Sequence, residues 1–294
     1  MNNKTKGLYL LIISNTFFGL LPIFVKLANA MRYSAMEETF FRFLFAVFGI
    51  LILLMLGWQK LTFVNVQALF WRGFFGSLSI VGYFIALQTT SSGKGTLLNY
   101  TYILWANVFA ILFFKQKPTK IFFWYFLLAV AGIQMVLEVS LAHPNFGDLA
   151  GIFSGITGGA AVLAIKRARN TDTAITVFSS YTLFSFVLSG CLLLWGGSIG
   201  MGSMNQWTTP DIQGLWVLLG IGASSMIAQL FFSEAIGHIS LATGTLLTLS
   251  VPVVATLFGL FFLNEPLTSH FLAGMILVLI ACGMMIWREE QTAG

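Results

Sequence analysis

The sequence predicts an all-α integral membrane protein: ten transmembrane helices arranged as two inverted five-helix repeats around a central cavity. Three observations predict it. Charged residues make up only 9% of the 294 residues, while 57% are hydrophobic. Nearly uncharged runs of membrane-spanning length recur from one end of the chain to the other. And the second half of the chain repeats, in order, residues of the first.

The charge deficit comes first because it overrides length. A soluble domain carries roughly 25% charged residues, which keep its surface compatible with water. Without them, lipid is the solvent that fits. The net charge of +5 is of a sign that nucleic-acid binders share, but most Lys and Arg fall in short loops, where they set orientation. No nucleic-acid partner is expected. Cys191 and Cys282 both lie inside apolar runs and have no metal-ligand spacing. The segment Met1 to Gly7 has the charge of a signal-peptide start. The apolar run behind it continues to Val25 without an A-x-A-like site, so it reads as a retained first helix.

A helix needs about 20 apolar residues to cross the hydrocarbon core. Ten runs meet this: 7–29, 37–57, 67–88, 95–114, 120–140, 147–167, 174–196, 213–236, 240–263 and 268–287. The longest connection, Gly197 to Ile212, holds Gly-Ser-Met and Thr-Thr-Pro turn chemistry and leaves no room for a soluble domain. With the N-terminus in the cytoplasm, Lys4, Lys6, Lys60, Lys115, Lys117, Lys120, Lys166, Arg167, Arg169 and Arg288 fall inside, with Arg72 at the edge. Only Lys26, Arg32 and Lys94 fall outside. The positive-inside rule then expects both termini to be cytoplasmic, in a multi-pass protein of the cell (inner) membrane.

The repeat appears on sliding the chain by 149 residues. Gly95-Thr96-Leu97-Leu98 falls on Gly244-Thr245-Leu246-Leu247, Ala86 on Ala235, Ser91 on Ser240, and Phe109, Phe113 and Thr119 on Phe258, Phe262 and Thr268. The start of the chain matches at a shift of 140: Gly7 on Gly147, Ser14 on Ser154, Gly19 on Gly159, Lys26 on Lys166 and Ala28 on Ala168. The expected halves are 1–143 and 144–294. Five spans is an odd number, so the second half must enter from the opposite side, and a pseudo-two-fold axis lies in the membrane plane. The charge swap between Lys115-Gln116-Lys117-Pro118 and Asn264-Glu265-Pro266 agrees, because only a cytoplasmic turn is held basic.

The run Gly244 to Gly259, with Pro252 in mid-helix, followed by Phe261 to Thr268 with Glu265 closing the helix, resembles the ninth-helix signature of EamA-type transporters of the drug/metabolite transporter superfamily. Phe41-Arg42-Phe43 at the start of the second span and the Ala86 region resemble the same family, over about residues 8–287. The resemblance implies ten helices in a 5+5 inverted arrangement. Spans one, three, four, six, eight and nine would line a central cavity, and five and ten would be peripheral. It also implies transport of small organic solutes, often outward. The first half departs from the signature: Ile103 or Leu104 stands in place of the Pro and Lys117 in place of the Glu.

Polar groups inside a bilayer are costly and default to function. Arg42 lies within the second span, about a turn and a half from Glu37 and Glu38; it can snorkel, pair with those acids, or hold an anionic group of a substrate. Glu234, at the inner end of the eighth span, reads either as an interfacial residue or as a gate. On the fourth helix, Tyr102 and Trp105 project together with Asn99 beside them, a polar aromatic wall suited to an amphipathic ligand. Asn15 and its neighbour across the repeat, Ser154, lie mid-helix, as do Tyr83 and Gln229, while Thr248 matches Asn99. These residues are the candidate substrate-binding set. Pro22 and Pro252 are candidate hinges, because proline removes a backbone donor.

The expected function is a secondary transporter working by alternating access. It would move an amino acid or related metabolite with an apolar or aromatic part, in export or exchange; a nucleoside-like metabolite such as S-adenosylmethionine is the alternative. No G-x-x-x-x-G-K-[ST] phosphate cradle is present, which argues against a primary pump; no catalytic residue, metal or cofactor is expected. With no Asp, Glu or His in the middle of a span, facilitated diffusion or exchange is favoured over proton coupling. A membrane enzyme and a channel are the competing classes. The partners are a small-molecule substrate and the lipid bilayer, with the chain a monomer or weak homodimer.

Overall fold

The computed structural model describes residues 3–58, 60–89, 92–114, 120–136, 145–195, 206–263 and 269–291. Their regular structure is helical throughout. In chain order the helices are α1 (Asn3–Ala30), α2 (Ala35–Met55), α3 (Val66–Thr89), α4 (Ser92–Tyr100), α5 (Tyr102–Phe114) and α6 (Lys120–Val136), then α7 (Phe146–Ala168), α8 (Ala174–Trp195), α9 (Ile212–His238), α10 (Leu241–Leu247), α11 (Val251–Leu263) and α12 (Ser269–Gln291). Seven stretches are long and apolar enough to cross a membrane: α1, α2, Val66–Ala86 of α3, α7, α8, α9, and Leu241–Phe262 across α10 and α11. Leu98–Phe113, Lys120–Met135 and Leu272–Ala281 are apolar but shorter. The two turns of swapped charge, 115–118 and 264–266, lie outside the described residues, as do Glu138 and His143.

The residue distribution is that of a protein solvated by lipid. Large apolar side chains such as Met55, Leu194, Trp124 and Phe261 point outward and are more than two-thirds exposed. Glu37, Glu38, Arg42, Arg72, Asn107 and Asp148 are buried instead. In water this arrangement would be penalised twice, through exposed apolar surface and through desolvated charge. In a bilayer the outward apolar surface carries no penalty and polar groups gather inside.

Two expected spans are interrupted. The fourth divides at Thr101, between α4 and α5, and the ninth passes through a single 3₁₀ turn, Thr248–Ser250, between α10 and α11. Hydroxyls at the interruptions take backbone carbonyls three residues back: Thr101 Oγ1 donates to Leu98 O (2.6 Å), Thr248 Oγ1 to Thr245 O (2.6 Å) and Ser250 Oγ to Leu247 O (2.9 Å). Such bonds compete with the amide ladder and bend helices. Asn15 Nδ2 adds a bond from α1 to Leu247 O (2.8 Å) at the second interruption.

Packing is symmetric under exchange of the halves. Helix α1 packs on α9 as α7 packs on α3; α1 packs on α11 as α7 packs on α5; α2 packs on α9 as α8 packs on α3. The pairs α2 with α8 and α6 with α12 map onto themselves. The correspondence extends to single residues. A Cβ on Gly19 would meet Val254 and Ala255, and one on Gly159 would meet Trp105 and Ala106, their partners at the shift of 149. The start of α1 lies beside the end of α9, where Lys6 reaches Glu234, and the end of α7 lies there too, through Lys166 Nζ on Ile236 O and Ile239 O. Helices α1 and α7 therefore run in opposite directions.

Candidate functional site

A cavity of about 530 Å³ lies between α1, α2, α3, α4 and α5 on one side and α7, α8, α9, the Thr248–Ser250 turn and α11 on the other. Its size is that of a pocket for a small organic ligand. Its wall is mostly apolar, with Pro22, Ile80, Phe84, Val162, Phe232 and Pro252 among its members. Its polar groups include Glu38, Arg42, Arg72, Ser79, Thr96, Asn99, Gln229 and Thr248, with the hydroxyls of Tyr83, Tyr100, Tyr102 and Tyr181 on the lining tyrosines.

The two ends of the bundle treat this cavity differently. Where α1 finishes, the wall includes Lys26 and Asn29, both exposed, so the cavity reaches the surface. Where α1 starts, side chains are tied together. Glu234 holds Arg169 Nη2 at 2.6 Å, His238 Nε2 at 3.1 Å and Lys6 Nζ at 3.4 Å, joining α1, α9 and the end of α7. Lys166 and Arg169 also donate to carbonyls of α9 or the residue following it, at Ile236, Ile239 and Ser233. In the loop below, Asp172 accepts from the backbone N–H groups of Val64 (2.8 Å) and Asn65 (2.9 Å). Burial pushes this carboxyl up, but those two N–H groups and the Thr171 and Thr62 hydroxyls outweigh it and hold Asp172 below the usual range.

Helix α2 begins with a capping box. Ser34 Oγ accepts from Glu37 N while Glu37 Oε2 accepts from Ser34 N at 2.7 Å. The other Glu37 oxygen accepts from Thr208 N. Glu37 is therefore spent on structure. Glu38, one position on, is 1% exposed, its Oε1 has no partner, and it lines the cavity. Glu38 lies in the first turn of α2 and not in mid-span, yet it is buried, so position at a helix end does not by itself make an acid interfacial.

Arg42, one turn further along α2, does not pair with either acid. Its Nε donates to Ser225 Oγ of α9 (2.8 Å). Arg72, placed at the cytoplasmic edge by the sequence, is 4% exposed and lines the same cavity. It lies over the Tyr181 ring at 4.1 Å, donates from Nη2 to Gln229 Oε1 at 3.2 Å, and leaves Nε without a partner. Two signals pointed here. Glu38 and Arg42 are four apart, hence on one helix face, and Arg72 lies inside the 67–88 run rather than before it.

Of the candidate binding residues, Arg42, Tyr83, Asn99, Tyr102, Gln229 and Thr248 come together on the cavity wall, with Pro22 and Pro252. Tyr83 shares a hydrogen bond with Thr96 (3.1 Å), and Tyr102 shares one with Thr248 that bridges the two interrupted spans. Asn99 Nδ2 donates to Ser154 Oγ (2.6 Å), and Ser154 Oγ in turn to Ser79 O (2.7 Å). Asn15, Trp105 and Ser154 lie behind the lining, where they join helices. Glu234 belongs to the closed end, outside the lining.

Known proteins resemble this chain in sequence and fold. The EamA-like transporter family matches residues 5–137 and again residues 145–287. The pseudopaline exporter CntI of Pseudomonas aeruginosa is 26% identical over 279 residues, covering 94% of each chain. Solute carrier family 35 member G1 of mouse is 25% identical over 248 residues, covering 78% of this chain and 64% of that one. A crystal structure of another protein superposes with a TM-score of 0.79 over 99% of both chains at 16% identity, which is a likeness of fold alone. These relatives are transporters, and the helices here are membrane-embedded in a multi-pass arrangement. With both of its halves matched, the chain belongs to the EamA-like transporter family.

Proposed function

We propose that this transporter moves an amino acid or related small metabolite, carrying an apolar or aromatic part, by alternating access in export or exchange. The observation that carries the reading is the central cavity: apolar and tyrosine-rich, with Arg42 and Arg72 buried in its wall, open at one end and tied shut at the other. A buried guanidinium favours an anionic partner such as a carboxylate, and tyrosine faces favour an apolar or planar remainder. A site that meets one surface while ion pairs close the other is one half of an alternating-access cycle.

The frame for this cycle is ten spans in inverted halves, 1–143 and 144–294, with both termini cytoplasmic in the inner membrane and the chain acting as a monomer or weak homodimer. The symmetric helix pairs support the inversion, and the basic cluster of Lys6, Lys166 and Arg169 supports a cytoplasmic closed end. A 26% identical pseudopaline exporter supports outward movement of a metabolite. Counterflow in reconstituted vesicles tests the reading: saturable exchange of labelled solute is expected, and ohmic single-channel current without saturation would overturn it.

A second reading has an observation of its own. Tyr83, Tyr100 and Tyr102 on one side, with Tyr181 on the other, also suit a nucleoside-like ring, as in S-adenosylmethionine. Competition decides between them: adenosine derivatives displace the bound amino acid only if both use the tyrosine wall.

A further inference from the structure

We propose that the cavity is built for an anionic ampholyte, a solute with one amine and two carboxylates, in which Glu38 takes the ammonium and Arg42 and Arg72 take the carboxylates. This rests on the transporter reading above and specifies its substrate by charge.

The fold leaves some buried polar groups unsatisfied. Buried polar atoms without partners are uncommon, and each has a physical cause. The cavity wall holds two of opposite sign: Glu38 Oε1 and Arg72 Nε. The obvious remedy, an internal ion pair, is not taken. Among the described residues neither Arg42 nor Arg72 comes within 4.0 Å of a carboxylate, although Arg42 sits one helical turn from Glu38. Each arginine is instead held in place by a neutral group. Ser225 takes Arg42 Nε, Gln229 takes Arg72 Nη2, and the Tyr181 ring lies beneath the Arg72 guanidinium. Neutral partners fix orientation and leave the charge uncompensated. Glu38 is kept apart in the same way, since the capping and cross-linking work at this helix end belongs to Glu37.

Charge balance then selects the ligand. A lone organic cation would satisfy Glu38 and leave two buried guanidiniums, which also repel each other. A simple anion would satisfy an arginine and leave Glu38 buried and unpaired. A neutral zwitterion such as a plain amino acid satisfies Glu38 and one arginine, leaving one guanidinium. One ammonium with two carboxylates leaves none. An uncompensated buried charge is costly, whereas a fully paired set recovers much of the desolvation. The cavity has room for such a solute together with an apolar group against its tyrosine wall.

The test uses the purified full-length protein and four phenyl compounds that differ in their charged groups: N-carboxymethyl-L-phenylalanine (one amine, two carboxylates), L-phenylalanine, benzylsuccinate (two carboxylates, no amine) and phenylethylamine. Affinity is read from the shift of the melting midpoint with ligand concentration. The amino diacid is expected to bind tightest. Glu38→Gln is expected to weaken the amino diacid roughly 10- to 100-fold while leaving benzylsuccinate unchanged or tighter. Arg72→Gln is expected to reduce the amino diacid to the level of L-phenylalanine. Because Glu38 Oε1 has no partner to lose, ligand-free Glu38→Gln should melt no lower than the parent; Glu38→Asp provides the same comparison at unchanged charge.

Benzylsuccinate binding the parent as tightly as the amino diacid would overturn the proposal. So would an equal loss for both diacids in Glu38→Gln, or the absence of any shift at millimolar ligand. If Glu38→Gln abolishes a pH-gradient dependence of uptake and leaves the charge preference intact, the carboxylate carries a proton and the assignment fails. The transporter reading stands or falls separately, on counterflow.

Discussion

In the second half of the chain the interrupted span carries Pro252, two residues past Ser250; in the first half Ile103 stands at the matching position, and the span is interrupted at Thr101 all the same. What the two have in common is a hydroxyl that takes the carbonyl three residues back. The first span is interrupted without a proline, so proline is not required for a break. A hydroxyl bond to the carbonyl three residues back, with α7 or α1 packed close to the turn, accompanies both breaks, although the same bond occurs at Ser77 and Ser180 in unbroken helices. The partners differ accordingly. At the first break Gly155 brings α7 close to Thr101 and Leu98, and at the second Asn15, one position past Ser14, bonds to Leu247 and Ser250. One half makes the contact by removing a side chain, the other by supplying an amide.

The comparison can be broken most sharply by moving proline. If α5 starts afresh at Tyr102, the amide of Ile103 lies in a first turn and has no helical partner to lose. Ile103→Pro should then cost about 1 kcal/mol, mainly for lost core volume. Ala110→Pro, inside α5, should cost about 3 kcal/mol or more. Denaturation in detergent measures both. Equal losses would mean that the fourth span is continuous through Thr101.

The close-packed glycines give the next largest contrast. A methyl on Gly159 would lie 2.6 Å from Trp105 Cβ and 2.7 Å from Ala106 N, neither of which can rotate away. On Gly19 it would meet a Val254 methyl at 2.5 Å and the Ala255 amide at 3.1 Å. Overpacking costs about 1–3 kcal/mol. Gly159→Ala should fall at the upper end and Gly19→Ala at the lower, as read by melting midpoints. The reverse order would show that the α1–α11 seam is the stiffer one.

Much of this architecture is legible in the sequence, and the reason is physical. Lipid solvation writes itself into composition and run length, so the helices and the repeat follow from hydropathy and collinear matches. The breaks are not legible, because Thr101 and Thr248 are residue types as common in continuous helices as in broken ones. A shared face is a weak signal too. Asn99 and Tyr102 both line the cavity although the break lies between them, whereas Trp105, in the same helix as Tyr102, packs its Cβ toward Gly159. Depth is the other weak signal. Residue position within an apolar run gives distance along the helix axis, but whether a helix end is wet depends on tertiary cover, which is why the burial of Glu38 is not legible. Arg42, Tyr83, Gln229 and Thr248 are visible because a polar residue far from a run's ends is costly in lipid unless it faces a cavity or a partner.

A smaller effect joins the two breaks. Tyr102 and Thr248 share the hydrogen bond that links them across the cavity. Tyr102→Phe removes it without removing bulk, so stability should fall by about 1 kcal/mol. If the two breaks move against each other during the cycle, the bond forms in one state only. The variant should then change the exchange rate in counterflow more than it changes substrate affinity. An affinity loss with unchanged rate would place the tyrosine hydroxyl on the substrate instead.

The smallest effect is predicted for Pro252 itself. It occupies the second position of α11, where its missing N–H has no carbonyl to bond and its fixed φ suits a helix start. Thr248, Ser250 and Asn15 keep their bonds whether or not proline follows. Pro252→Ala should therefore change stability by only a few tenths of a kcal/mol, the scale of restoring unfolded-chain freedom. The first half already exists in this state, with Ile103 in place. A hinge role would appear as a slowed transport rate in Pro252→Ala at unchanged stability. An unchanged rate would assign the hinge to the hydroxyl-bonded turn, which both halves share.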